Sequence, residues 1–98
     1  MNRALRGVVA DRVKALQQLD FGAIKALPGQ SKESVPSLGK IAIIRYHEVA
    51  KTGEHLVVVQ ALRQRWFGLS TAIEVDGFVV GPDGARRPMA EQEKWPFT

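Results

Sequence analysis

A chain of 98 residues, 45% hydrophobic and 24% charged, has the makeup of one globular domain, residues 1–98, with a single core and little surface to spare for elaborate active-site loops. Cysteine is absent, which excludes a disulfide framework, a thiolate metal site and a cysteine nucleophile, and makes the cytoplasm the expected compartment. The formal charge of +4 is spread without a run of lysines or arginines, so it permits polyanion binding without demanding it.

The first residues hold no apolar run longer than Val8-Val9-Ala10, far below a signal peptide or a membrane span, and neither is expected. In the same segment Leu5, Val8, Val9, Val13, Leu16 and Leu19 recur at three- and four-residue steps. On a helical wheel they form a stripe about 140° wide, the mark of an amphipathic helix lying on a core. Arg12 falls inside that stripe and must either snorkel to its margin or find a carboxylate; its long apolar stem favours snorkelling. Asp20 is placed to cap a second short helix, Phe21–Leu27, which Pro28-Gly29 ends.

Residues 28–40 are rich in Pro, Gly and Ser and read as a connector, with a short extended piece around Ser34–Pro36. From Lys40 the chain turns β-branched and aromatic: strands are expected over 40–49, 55–67 and 71–80, with hairpin turns at Lys51–Gly53 and Gly81–Gly84. Ala85–Arg87 returns as a short strand, and the tail from Pro88 makes one or two helical turns that dock Trp95 and Phe97. The fold class is α+β: an N-terminal helix, bent or doubled, packed on a three- to five-stranded antiparallel meander sheet, with a short C-terminal turn or helix.

The two histidines stand beside glutamates, His47-Glu48 and Glu54-His55, mirrored about the first turn. A two-residue loop would put the histidines on opposite faces; a three-residue loop, Lys51-Thr52-Gly53 with Gly53 left-handed, puts them on one face. The longer loop is preferred, because it groups Ala42, Ile44 and Tyr46 with Leu56, Val58, Leu62 and Trp66 as the core-facing row and keeps Arg45 and His47 off it. The opposite, outer face then carries Ile41, Ile43, Arg45, His47, Val49, His55, Val57, Val59, Arg63, Arg65, Phe67, Glu74, Asp76 and Phe78. It is too apolar for a solvent face and too charged for a second core, so a covering partner is expected, most simply a second copy.

Tests for chemistry return little. The zinc-protease pattern H-E-x-x-H needs histidine at 51, where Lys51 stands, and Glu48 and Glu54 alternate away from the histidines, so no metal site is assigned. Gly68–Ala72 lacks the second glycine of a nucleophile elbow, and no phosphate-binding glycine motif occurs. The expectation is a non-catalytic protein-interaction or binding protein, a homo-oligomer formed through the outer sheet face, with no cofactor and no membrane partner. Its interface or ligand candidates are Arg45, His47, His55, Arg63, Arg65, Phe67, Glu74 and Asp76. The alternatives are a small-molecule binder or small enzyme with a cleft near His47 and Trp66, and a weak nucleic-acid binder using Arg45, Arg63 and Arg65. Glu74 and Asp76 on the adjacent strand would repel phosphates and weigh against the latter.

Overall fold

The computed structural model describes residues 3–35, 41–65 and 70–98. Helix α1 (Arg3–Gln17) and the short α2 (Phe21–Lys25) precede five strands: β1 (Gln30–Val35), β2 (Ile41–Val49), β3 (His55–Arg65), β4 (Ser70–Val80) and β5 (Arg86–Pro88). A last helical turn, α3 (Glu91–Lys94), runs into a 3₁₀ turn, Trp95–Phe97. The strands form one antiparallel sheet in chain order, so the α+β class and the meander are as expected. Asp20 does cap α2, its side chain accepting the Ala23 N–H at 2.8 Å. Pro88 closes β5 instead of opening the tail helix, which starts three residues later.

Both hairpin turns are the same device. Ala50 and Glu54 close the first, with Ala50 N–H donating to Glu54 O at 2.8 Å and Gly53 N–H to Ala50 O at 2.9 Å. Gly81 and Ala85 close the second in the same way, at 2.7 Å, with Gly84 N–H on Gly81 O at 2.9 Å. Gly53 (φ 87°) and Gly84 (φ 88°) each take the left-handed position that such three-residue loops need and that a Cβ resists. The first turn therefore has the longer loop, and His47 and His55 share a face.

That face, however, is the one the helices cover. Leu5, Val9, Val13, Leu16 and Ile24 pack on Ile41, Ile43, Val57, Val59, Ala61, Ala72, Phe78 and Val80 in one buried cluster, with Ile24, Ile43 and Val59 fully enclosed. The row expected to be outer and in want of a partner is the inner one, and α1 and α2 supply the cover. Each enclosed Ile or Val contributes about 1.5–3 kcal/mol relative to its exposed state, so this face dominates the packing. The charged residues that argued against it sit at its margins with partners: Arg45 donates to Glu33 of β1 at 2.7 Å, and His47 reaches the end of α2. Arg12 belongs to the same solution. It does not snorkel free but grips Glu33 with Nε and Nη2, both at 3.1 Å.

The other face carries a smaller cluster, Val58 and Val79 under Met89 and Phe97, with Tyr46, Leu56 and Val75 beside it. The C-terminal tail is its lid. Phe97 is buried and its ring lies 5.0 Å from that of Tyr46, and the Gln60 amide donates to Phe97 O. Trp95, expected to dock as well, is 70% exposed. Arg86 of β5 ties the two ends of the chain together: its guanidinium donates to Gln17 O at 2.6 Å and to Leu19 O, occupying carbonyls at the end of α1 that have no helical partner.

Candidate functional site

The candidate residues fall into two groups on opposite flanks of the sheet. Arg45, His47 and His55 sit where α2 ends. Glu74 and Asp76 lie on β4, along the edge that α1 and the tail flank. Arg63 stands in the row of Ile41 and Ala72, half-buried at the far end of the helix-covered face. Phe67, Trp66 and the side chain of Arg65 lie outside the described residues.

On the first flank, Glu33 receives Arg12 and Arg45 together. The hydrogen bonds from Arg12 and then from Arg45 hold its carboxyl below the ordinary 4.5. On the tail, Glu93 is driven down to about 2 by the Arg87 guanidinium, at 2.8 and 2.9 Å, and by the Ala90 N–H. Both carboxylates have depressed folded values, so what they contribute is complete above pH 4.5 and is lost as pH falls below it, for Glu93 down to about 2. These pairs are largely solvated, so each contributes little to stability. Urea denaturation midpoints between pH 5 and pH 2 should therefore fall, and the decline should be shallower in Glu33→Gln and Glu93→Gln. A wild-type and double-variant decline of equal slope would remove these groups as its source.

Beside Arg45, His47 Nδ1 lies 3.0 Å from Leu27 O and His47 Nε2 lies 2.8 Å from His55 Nδ1. The rings are 12° from parallel with centroids 5.1 Å apart. That separation is the N···N distance plus one imidazole radius on each side, so the rings lie edge to edge in one plane, joined by a linear N–H···N bond, and are not stacked faces. Edge-to-edge lone pairs do not converge on a common metal position. Among the described residues no three His, Asp or Glu side chains gather as a metal site. The space beside His47, between Leu16, Leu27, Pro28 and Tyr46, is about 20 Å³, room for about one water and not for a substrate. Of the cleft expected near His47 and Trp66, only the side beside His47 falls within the described residues, and there Leu16, Leu27, Pro28 and Ser31 leave no more room than this.

On the second flank there is space. A groove of about 520 Å³ runs between α1 and the tail, walled by Arg6, Val9 and Ala10 on one side and by Glu91, Lys94, Trp95 and Thr98 on the other. Its floor is the stretch Ile73–Asp76 of β4. β5 pairs only with Phe78–Val80, so among the described residues no strand pairs with this lower part of the β4 edge. The closure of the β4–β5 turn at Gly81 and Ala85 fixes the ladder's alternation: odd-numbered β4 residues turn N–H and C=O toward that edge, even-numbered ones toward β3. Ile73 and Val75 thus present backbone donors and acceptors to the groove. Gly77, the next in the series, has its N–H taken by its neighbour's carboxylate, Asp76 Oδ1, at 2.8 Å.

Glu74 and Asp76 form ion pairs with residues on the two walls of the groove. Glu74 faces Arg6 at 3.9 Å, and Asp76 faces Lys94 at 3.4 Å. Lys94 also reaches Glu91 at 3.5 Å. Arg6 and Lys94 could not be found from sequence pattern, because only the folded sheet brings residues 6 and 94 to opposite lips of one strand edge. No helix among the described residues is long and apolar enough to cross a membrane. Compared with protein-family models, with curated proteins and with solved structures, the chain has no significant match.

Proposed function

We propose that this is a non-catalytic protein-interaction module that accepts an extended segment of another protein as a sixth strand, laid along Ile73–Asp76 of β4. The observation that supports the reading is the groove at that edge: a strand with outward backbone groups on its floor, a helix wall on one face and the tail on the other. Strand addition draws affinity from main-chain hydrogen bonds and specificity from alternate side chains, and both have counterparts here. Four residues of β4 span about 13 Å, enough for a short added strand. Of the side chains beside it, Ile73 and Trp95 are two of the three exposed large apolar residues among those described. An incoming strand would set apolar residues against Ile73, Val75 and Trp95, and polar or basic ones beside Glu74 and Asp76.

Self-association, first expected through the sheet face that α1 and α2 in fact cover, has a poorer case at this edge. A twofold pairing of two β4 edges centred on Glu74 or on Val75 sets Glu74 opposite Glu74 or Asp76 of the other copy, which is unfavourable. The nucleic-acid alternative loses Arg45 to Glu33.

Selection of a random dodecapeptide phage library on the full chain tests the proposal. Enriched peptides should shift and protect the amides of Ile73 and Val75 in NMR spectra, and Ile73→Pro should weaken their binding at least tenfold while keeping the fold, since proline is tolerated where an edge N–H faces out. Enriched peptides whose shifts map elsewhere, or no enrichment at all, would overturn it. Light scattering that shows a dimer broken by Ile73→Pro would replace the foreign strand with a second copy.

A further inference from the structure

We infer that His47 and His55 form a proton-counting latch between helix α2 and the β2–β3 hairpin, one that stays shut with a single added proton and opens with a second. The tautomers follow from the partners. Leu27 O can only accept, so His47 Nδ1, 3.0 Å away, carries the hydrogen. In the neutral ring Nε2 is then a bare lone pair, and His55 Nδ1, 2.8 Å from it in the same plane, must donate. One relay results: His55 Nδ1–H to His47 Nε2, His47 Nδ1–H to Leu27 O just beyond α2.

Among the described residues the relay leaves one base without a partner, His55 Nε2. A first proton lands there and breaks nothing; the bond from His55 Nδ1–H becomes charge-assisted and tightens. A second proton has only His47 Nε2 to occupy, where it would point at the His55 N–H. The bond between the rings is then lost and two imidazolium cations are left adjacent. Because the rings share the proton that decides the outcome, the uptake steps belong to the pair.

The surroundings resist charge. Lys25 comes from α2, where it lies 4.8 Å over the Phe21 ring, and Phe21 in turn sets its edge on His55 at 5.7 Å. Arg45 shares the face from β2, and Arg86 of β5 pairs with Val80, the strand partner of His55. The nearby carboxylates are engaged elsewhere: Glu33 from β1 by Arg12 and Arg45, Asp20 by the α2 cap, and Glu54 by Thr52 and Arg87 on the other face, where Glu48 also points. Burial first, then the His47 ring and Lys25, push the His55 value below its ordinary 6.5. A depressed histidine value means that stability is complete above pH 6.5 and declines as pH falls below it. What the latch ties down is the end of α2, whose Phe21 and Ile24, with Leu27 just beyond it, also pack on the core, while His47 N–H donates to Gly29 O at 3.0 Å.

Imidazole ¹⁵N NMR on the full chain, titrated from about pH 8 to about pH 4 across the histidine range, tests this. Both rings should show the Nδ1–H tautomer at high pH, and the pair should take up protons in two separated steps. The second step should coincide with amide exchange at Ile24–Leu27 rising at least tenfold relative to the centre of β3. An Nε2–H tautomer in either neutral ring, a single joint uptake step, or a second step without faster exchange in α2 would overturn the latch. All of these readings are made on the wild-type chain.

Discussion

Gly77→Ala should cost about 3 kcal/mol of stability, the upper end of what overpacking usually imposes, although it adds one methyl group. A Cβ at Gly77 would lie 2.2 Å from Val57 O, 2.8 Å from Met89 Sδ and 3.0 Å from Val58 Cα. The first and third are backbone of the central strand β3, which cannot step aside without loosening its ladder to β4. Met89 can move, but it is buried on the smaller cluster and holds the start of the tail there. The substitution thus strains the sheet and shifts the lid on its second face at once. Urea denaturation should show the lower midpoint, and Gly7→Ala supplies the contrast. Nothing lies within 4 Å of a Cβ at Gly7, and replacing a mid-helix glycine should raise stability by about 0.5–1 kcal/mol. Equal effects at the two sites would show that the close approach of β4 to β3 is not what Gly77 serves.

Phe78→Ala should lose about 3–5 kcal/mol, a large part of the 5–15 kcal/mol that a domain of this size holds in reserve. The ring is 1% exposed within the helix-covered cluster, with Val57 opposite on β3 and Arg86 over it at 5.7 Å. Neighbours fixed in strands and in α1 cannot collapse into the space left. The loss should appear as a lower urea midpoint with little change in slope, as expected when stability falls and the exposed area does not. A loss below about 1 kcal/mol would mean that the Phe78 side of the sheet is not the principal core. The variant therefore also checks which sheet face the helices cover.

That face was the hard part to read in the sequence. The helical stripe, the Asp20 cap, strands β2 to β5 and the three-residue turn at Gly53 are legible, because each is set by local spacing. Strand β1 was only grazed by the extended piece expected at Ser34–Pro36. Gln30–Val35 holds one large apolar residue, and edge strands are commonly kept polar so that they do not recruit other chains. Missing β1 had a consequence two strands away. Both rows of β3 are apolar, and Leu56, Val58, Leu62 and Trp66 read as the more apolar one; Arg45 on the other row does not redress this, because its partner Glu33 lies in the strand that the pattern leaves unmarked. The histidine neighbours followed from the turn. The groove beside Ile73–Asp76 did not, because its walls come from opposite ends of the chain.

The clasp of Arg86 on Gln17 O and Leu19 O joins residues 69 and 67 positions apart. During synthesis α1 is made first, yet the carbonyls at its end wait for a strand near the end of the chain. Helix α1 can therefore form early but cannot be finished early. Contacts across such long separations pay the full cost of loop closure before they return anything, which slows folding. A nascent chain stalled before residue 86 would leave the carbonyls at the end of α1 without the Arg86 clasp and the β4 edge without β5 and the tail, and it is in that interval that the protein would be most prone to pairing with the wrong strand.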